Sequence, residues 1–225
     1  MDEPQSSSNA LSPEELRVLG SLVEKQLTTP EYYPLTLNAL VAACNQKNNR
    51  DPVLAYDEEI VVRALDRLRD RRLASLVSTA GGRAPKYKHL FPETYGLDAR
   101  DTAILCELML RGPQTTAELR SRGERLAQMG GVDEVQAALD ALAQRTQGAL
   151  VVRLPRQPGQ KEARFAHLLG EPPNLEAAAA PAEPAALRVR EDAQRLAQLE
   201  AEVAALRSDV VALREQMDAF RRQFE

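Results

Sequence analysis

The sequence predicts a mainly α protein with small β-hairpins (α+β): two tandem winged helix-turn-helix domains followed by a C-terminal coiled-coil helix. Three observations predict it. The middle of the chain repeats itself, each repeat reads as three helices and a hairpin, and the tail carries an unbroken heptad of apolar residues.

The repeat is visible as three ordered matches at nearly constant offset. Pro34–Leu40 echoes Pro113–Leu119 at 79 positions. Val61–Leu68 echoes Val135–Leu142 at 74, and Lys86–Leu90 echoes Arg164–Leu168 at 78. Small changes of offset are what unequal loops between shared elements produce. The domain boundaries follow: 1–10 as a disordered N-terminus, 11–97 and 98–170 as the two domains, 171–186 as a linker and 187–225 as the coil. The linker assignment rests on four Pro and seven Ala among sixteen residues, a semi-extended composition.

Each element has a local cause. Ser12 caps the first helix, with Pro13 at its first position and Glu15 completing a capping box. Leu16, Leu19, Val23 and Leu27 form its apolar stripe, and Thr29-Pro30 ends it. A short second helix is expected over Leu35–Cys44. Asp57 caps a third, whose Ile60, Val61, Ala64, Leu65 and Leu68 make one face. Leu73–Val77 and Tyr87–Phe91 then read as strands around a Gly81-Gly82 turn. In the second repeat Asp98 caps a helix through Arg111, and Gly112-Pro113 breaks it. Helices over Thr115–Arg122 and Val132–Arg145 follow, with strands Leu150–Leu154 and Arg164–Leu168.

Composition narrows the function. Hydrophobic residues are 44% and charged residues 28% of the 225-residue chain, enough to bury cores in water. Aromatics are 4% with no Trp, which disfavours an aromatic-lined sugar or single-strand groove, and a net charge of −4 excludes a uniformly basic coat. Cys44 and Cys106, 62 positions apart in apolar surroundings, fit a reducing cytosol. No apolar run approaches the roughly 18 residues a membrane span requires, so a cytoplasmic protein that touches no membrane is expected. The acidic, Ser-rich start is unlike a signal peptide.

With these residues in hand, the chain resembles the YceH-like family of bacterial proteins, a group without an established function. The resemblance is carried by Leu22–Gln26, Tyr33–Thr36 and the amide-rich Ala42–Val53. Leu110–Thr115 and Arg153–Arg156 with Pro158-Gly159 add to it. It spans roughly Leu11 to Leu169. It implies tandem winged helices and carries over no catalytic residues.

A helix about 10–12 Å wide fits the DNA major groove, and hairpin cations reach the phosphates beside it. On the third helix Arg63, Arg67 and Arg71 are candidate groove residues. On the hairpin Arg83, Lys86 and Lys88 are candidate phosphate contacts. From Asn45 to Leu90 there are ten Lys+Arg against six Asp+Glu, a local excess of four cations in an acidic chain. Against it, Glu59, Asp66 and Asp70 interrupt the same helix, and ion pairs with its arginines would merely solvate that face. The run containing Asn45, Gln46, Lys47, Asn48 and Arg50 has two readings: amide groups for base edges, or a turn in which Asn and Asp bond their own backbone. The second repeat offers Asp133, Glu134, Gln136 and Asp140 on its third helix, which would repel phosphate, while its hairpin with Arg153, Arg156, Lys161 and Arg164 is basic. It has two readings, contact through a wing rather than a helix, or protein docking or packing, and the second is favoured.

No enzyme chemistry is expected. His89 and His167 occupy equivalent strand positions and read as structural, each bonding a carbonyl across its domain. Neither has a ligand-forming neighbour, so no metal or other cofactor is expected. Gly81-Gly82 and Gly130-Gly131 are turns, not phosphate loops.

The tail carries the dimerisation expectation. Leu196, Leu199, Val203, Leu206, Val210, Leu213, Met217, Phe220 and Phe224 alternate spacings of three and four. β-branched Val at a with Leu at d favours two parallel strands. The facing pairs Arg195–Glu200, Glu202–Arg207 and Asp209–Arg214 are opposite in sign. The expected partner is therefore a second copy, with double-stranded DNA as the further partner. The alternative function is an adaptor whose winged helices dock another protein; near-neutral bodies, with 22 Lys+Arg against 20 Asp+Glu over 11–170, favour it.

Overall fold

A computed structural model describes residues 10–77, 84–156, 160 and 162–173. The expected coiled coil and all nine of its seam residues lie outside the described residues, as does Arg83.

The first repeat runs α1 (Pro13–Thr28), a 3-10 turn (Pro30–Tyr32), β1 (Leu35–Thr36), α2 (Leu37–Cys44), α3 (Glu58–Asp70), β2 (Ala74–Val77) and β3 (Lys86–His89). A short α4 (Phe91–Tyr95) leads to the second repeat: α5 (Ala99–Arg111), α6 (Thr116–Gly123), α7 (Val132–Ala143), β4 (Val151–Arg153) and β5 (Phe165–His167). The architecture is α+β, seven α-helices with two small antiparallel sheets among the described residues.

The caps act as the sequence predicts. Ser12 Oγ accepts from Glu15 N–H while Glu15 Oε2 accepts from Ser12 N–H, and the carboxylates of Asp57 and Asp98 accept from Ile60 and Asp101 N–H. Two short elements depart from expectation. Leu35 and Thr36 are a strand rather than the start of α2, because they pair with Tyr87 and Lys86 of β3; Thr36 then caps α2 through Ala39 N–H. Phe91 begins α4 instead of ending β3, and its fully buried ring stacks edge-on with Tyr95.

The first sheet has strand order β1-β3-β2, with Leu76 opposite Tyr87 and Ala74 opposite His89. The second repeat reproduces it. β4 pairs with β5, and a bridge from Gln114 to Phe165 takes the place of β1. Leu35–Tyr87 and Gln114–Phe165 are thus corresponding pairs in the two repeats.

The repeats share one core. α1 and α5 are buried along most of their length, Val18–Glu24 and Thr102–Leu110, because each is covered by its own repeat and by the other first helix. Gly20 permits that approach: a Cβ there would sit 2.9 Å from Leu110 Cδ2 and 3.0 Å from Leu110 Cγ. The Cys106 thiol reaches Gly20 O at 3.5 Å. At the far end, Leu11 N–H donates to Leu169 O at 2.8 Å, joining the start of the first repeat to the end of the second.

The histidines are structural, though not in the expected way. His89 bonds no carbonyl with its ring: Nδ1 accepts from Phe91 N–H at 3.3 Å, and the backbone N–H of His89 donates to Tyr33 Oη at 2.7 Å. Nε2 of His89 and Nδ1 of His167 are buried without hydrogen-bond partners.

Two outcomes follow from this packing. Gly20→Val forces Leu110 and α5 to shift, and should cost about 1–3 kcal/mol in urea unfolding; an unchanged midpoint would show that α1 and α5 are not in close contact. Burial pushes both imidazoles down to about 4 from 6.5. The unfolded ring takes a proton below about 6.5 and the folded ring only near 4, so stability is complete above pH 6.5 and falls as the pH drops towards 4. For the 4%-exposed His89 this amounts to roughly 3 kcal/mol. His89→Asn, which keeps an acceptor for Phe91, should flatten the decline between pH 7 and pH 4.5; an identical pH profile for the variant contradicts it.

Candidate nucleic-acid interface

α3 buries Val61, Ala64, Leu65 and Leu68, so its arginines stand on the remaining faces. Their own acids engage them. Arg63 donates to Glu59 at 2.6 Å and Arg69 to Asp66 at 3.0 Å, both pairs solvent-exposed. Arg71 Nε lies 3.6 Å from Glu15, the buried carboxylate of the α1 capping box. Arg67 is exposed and faces the start of α1, where Ser12, Glu14, Ile60, Arg63, Ala64 and Arg67 line a cleft of about 330 Å³. The Ser12 hydroxyl, with help from the Arg67 charge, holds the Glu14 carboxyl below its usual range.

Exposed helical pairs contribute only about 0.3–0.5 kcal/mol, so Arg63 can exchange Glu59 for a phosphate at little cost. Arg71 is different, since leaving would strip a buried carboxylate of a nearby cation.

The hairpin supplies cleaner cations. On β3 the two-residue period puts Lys86 and Lys88 on one face, with Tyr87 and buried His89 on the other. Lys86 sits across from Thr36 and Val77, and exposed Lys88 across from Ser75. Exposed Arg72 caps the far end of the same unit at φ 57°, just past α3. Among the described residues Lys86, Lys88 and Arg72 make no ion pair, and Arg72 stands beside the negative end of α3, where a cation is favoured.

The amide-rich loop between α2 and α3 is a turn, and this removes three candidates. Asn45 is fully engaged: Nδ2 donates to Tyr56 O and Oδ1 accepts from Tyr56 N–H, both at 2.7 Å. Gln46 Oε1 accepts from Arg50 at 3.3 Å. Arg50, expected as a DNA contact, has a side chain with 0% exposure; it donates to Glu24 Oε2 at 2.5 Å and to Ala43 O at 2.9 Å. A guanidinium so placed cannot meet a phosphate. Lys47 and Asn48 remain exposed at the tip.

The same loop fastens one repeat to the other. Asn49, at φ 56°, accepts from Arg111 Nη1 at 3.0 Å, and Asp51 N–H donates to Leu110 O at 2.9 Å. Arg17 of α1 holds the loop's exit through Pro52 O at 2.7 Å. Burial alone would raise the Glu24 carboxyl, but Arg50 and Arg125 outweigh it and hold it below its ordinary range.

In the second repeat the equivalent helix face is acidic and one of its hairpin cations is occupied. Asp133, Glu134 and Asp140 are exposed on α7, and Gln136 bonds Thr116 and Asp140. Arg164, the counterpart of Lys86, donates to Pro113 O at 2.7 Å and pairs with Glu118 at 3.2 Å. Arg153 and Arg156 are exposed. Burial pushes the Cys44 thiol up to about 11 and Cys106 well above its normal value, so neither is a thiolate near neutrality. No helix among the described residues is long and apolar enough to cross a membrane.

A family model described as "Protein of unknown function, DUF480" matches residues 11–160, the first repeat and the second as far as β4. The chain belongs to this family. It is 54% identical over 191 residues to a UPF0502 protein of Geotalea daltonii, covering 84% of this chain and 87% of that one. A UPF0502 protein of Citrifermentans bemidjiense is 56% identical over 186 residues, covering 83% and 85%. DUF480 membership agrees with the resemblance seen in the amide-rich and Gly-Pro motifs.

The geometry separates two cations of one short loop. Arg50→Ala should strip buried Glu24 of one of its two cations, leaving Arg125, and cost about 1–3 kcal/mol, whereas exposed Lys47→Ala should stay within about 0.5 kcal/mol. Chemical denaturation of the two variants checks this; equal midpoints would mean that Arg50 is not buried in solution.

Proposed function

We propose that each repeat is a winged helix-turn-helix unit and that the chain is a non-enzymatic, cytoplasmic, dimeric binder of double-stranded DNA. In this reading repeat one meets the duplex, and the heptad of 187–225 pairs two copies in parallel. The element order α1-β1-α2-α3-β2-β3 with sheet order β1-β3-β2 supports the winged-helix reading, and the second repeat follows the same helix order with a two-stranded hairpin and a single bridge from Gln114 in the place of β1.

The observation that carries the DNA reading is that Lys86, Lys88 and Arg72, on the hairpin and at the end of α3, make no ion pair among the described residues. Phosphate contact releases counterions, and it needs cations not already neutralised by the protein. On α3, exposed Arg67 and Arg63, the second held by a weak exchangeable pair, line the cleft at the start of α1. The contact is thus weighted towards the hairpin, and α3 is a secondary element. Two bodies joined by a coil would raise the effective concentration of the second contact once the first is made.

A second reading has its own observation. The exposed Asp133, Glu134 and Asp140 of α7 repel phosphate, and α7 with the second hairpin borders a cleft of about 410 Å³ floored by Ala117, Val132, Ala163 and Phe165. That favours protein docking by repeat two, compatible with DNA contact by repeat one.

Fluorescence anisotropy with a labelled duplex tests the proposal. Binding should weaken steeply between roughly 50 and 200 mM salt, and K86A/K88A/R72A should lower the slope of log K against log salt by up to about 2.7. No binding at roughly 50 mM salt, or a triple variant with the wild-type slope, contradicts DNA contact here. A stable protein partner recovered by full-length chain that ignores DNA would select the adaptor reading.

A further inference from the structure

The two repeats contain the same internal ion pair. In repeat one Arg50, after α2, reaches Glu24 of α1; in repeat two Arg125, after α6, reaches Glu107 of α5 at 2.8 Å. Glu24 and Glu107 are 2% and 1% exposed, at corresponding places on the two central helices. The pairs then diverge. Arg125 also donates to Glu24 Oε1 at 2.8 Å from the same nitrogen, crossing from repeat two into repeat one. Arg50 makes no reciprocal bond to Glu107, whose Oε2 is buried without a hydrogen-bond partner. Arg125 is also the accessible member: its side chain is 32% exposed, against 0% for Arg50.

We infer that Arg125 is an inter-repeat latch, a surface-reachable guanidinium on which one buried carboxylate from each repeat converges, and that its charge holds the two repeats in a single relative setting. The asymmetry is the basis. Glu24 keeps Arg50 whether or not Arg125 is present, so the Arg125–Glu24 bond is not needed to neutralise Glu24. What it adds is a charge-assisted link between repeats at a nearly dry site, where such a bond is stronger than at the surface. Glu107 depends on Arg125 alone, so loss of that cation also leaves an unpaired buried carboxylate. Apolar contact between α1 and α5 resists separation but is non-directional. Beside the neutral-acceptor bonds Arg111–Asn49, Asp51–Leu110 and Leu11–Leu169, the bridge from one Arg125 nitrogen to two buried carboxylates is the inter-repeat tie in which both partners are charged, and it fixes the angle of α1 on α5. This inference does not depend on what the assembled pair binds.

The test separates a latch from local neutralisation of Glu107. Spin labels on exposed Ala39→Cys of α2 and Ala137→Cys of α7 report the inter-repeat distance in the full-length chain, diluted with excess unlabelled chain so that only intrachain pairs are read. The labelled parent, E107Q and R125K should each give one narrow distance, because each retains the crossing cation. R125M/E107Q carries no orphaned carboxylate and should fold, yet its distribution should become broad or bimodal because the crossing bond is gone. If R125M/E107Q keeps the narrow parental distribution, Arg125 serves only to neutralise Glu107 and the latch is refuted. A broad distribution in E107Q or R125K refutes it equally. The single R125M variant is not required, so its failure to fold would leave the comparison intact.

Discussion

Two carboxylates buried where α1 meets α5, held by arginines from the loops that follow α2 and α6, constrain the rest of this molecule. Ionised groups in such a place are tolerated only when paired and hydrogen-bonded, so Glu24 and Glu107 dictate the positions of Arg50 and Arg125. Arg50 in turn dictates the path of its loop, since Asn49 and Asp51 are carried onto Arg111 and Leu110 of the other repeat. The close approach at Gly20 supplies apolar contact, and the charges supply direction. Two helix-and-hairpin segments that could have been beads on a string are therefore one body.

That constraint redistributes the cations available for function. Of the arginines and lysines that make Asn45–Leu90 locally basic, Arg50 is consumed by the core and Arg71 stands beside the α1 capping box. Arg63 and Arg69 are shared with acids of their own helix. Lys86, Lys88 and Arg72 have no such ties, and all three belong to the hairpin or its junction with α3. In repeat two the matching hairpin cation, Arg164, anchors the segment before α6 instead. Matching positions of the two hairpins are thus put to different uses, Arg164 bonded to Pro113 and Glu118 and Lys86 in no ion pair among the described residues.

How much of this was legible depends on the range of the physics. Caps are local, so Ser12, Asp57 and Asp98 could be read directly, whereas Thr115, expected as the first residue of its helix, is the cap of α6. β1 and α4 were not legible. A two-residue strand exists only because Tyr87 and Lys86 lie beside it, and a five-residue helix because Phe91 needs a buried place. Arg50 was misread for the same reason: in a run of amides and cations it resembles its exposed neighbour Lys47. Its partner Glu24 lies on another helix, and the cluster they join is completed by residues of the second repeat. Arg125, without a surrounding motif, gave no signal beyond its correspondence to Arg50. The heptad of the tail is the clearest periodic pattern in the chain, and it lies beyond the described residues.

Native-state hydrogen exchange along α1 and α5 addresses the one-body claim most directly, because it reads the opening free energy of each helix without altering either. The most protected amides of Val18–Glu24 and of Thr102–Leu110 should exchange with the same free energy and the same urea dependence, that of global unfolding. If α5 opens at a distinctly lower free energy while α1 stays protected, the repeats are separate folding units and the buried charges do not bind them into one.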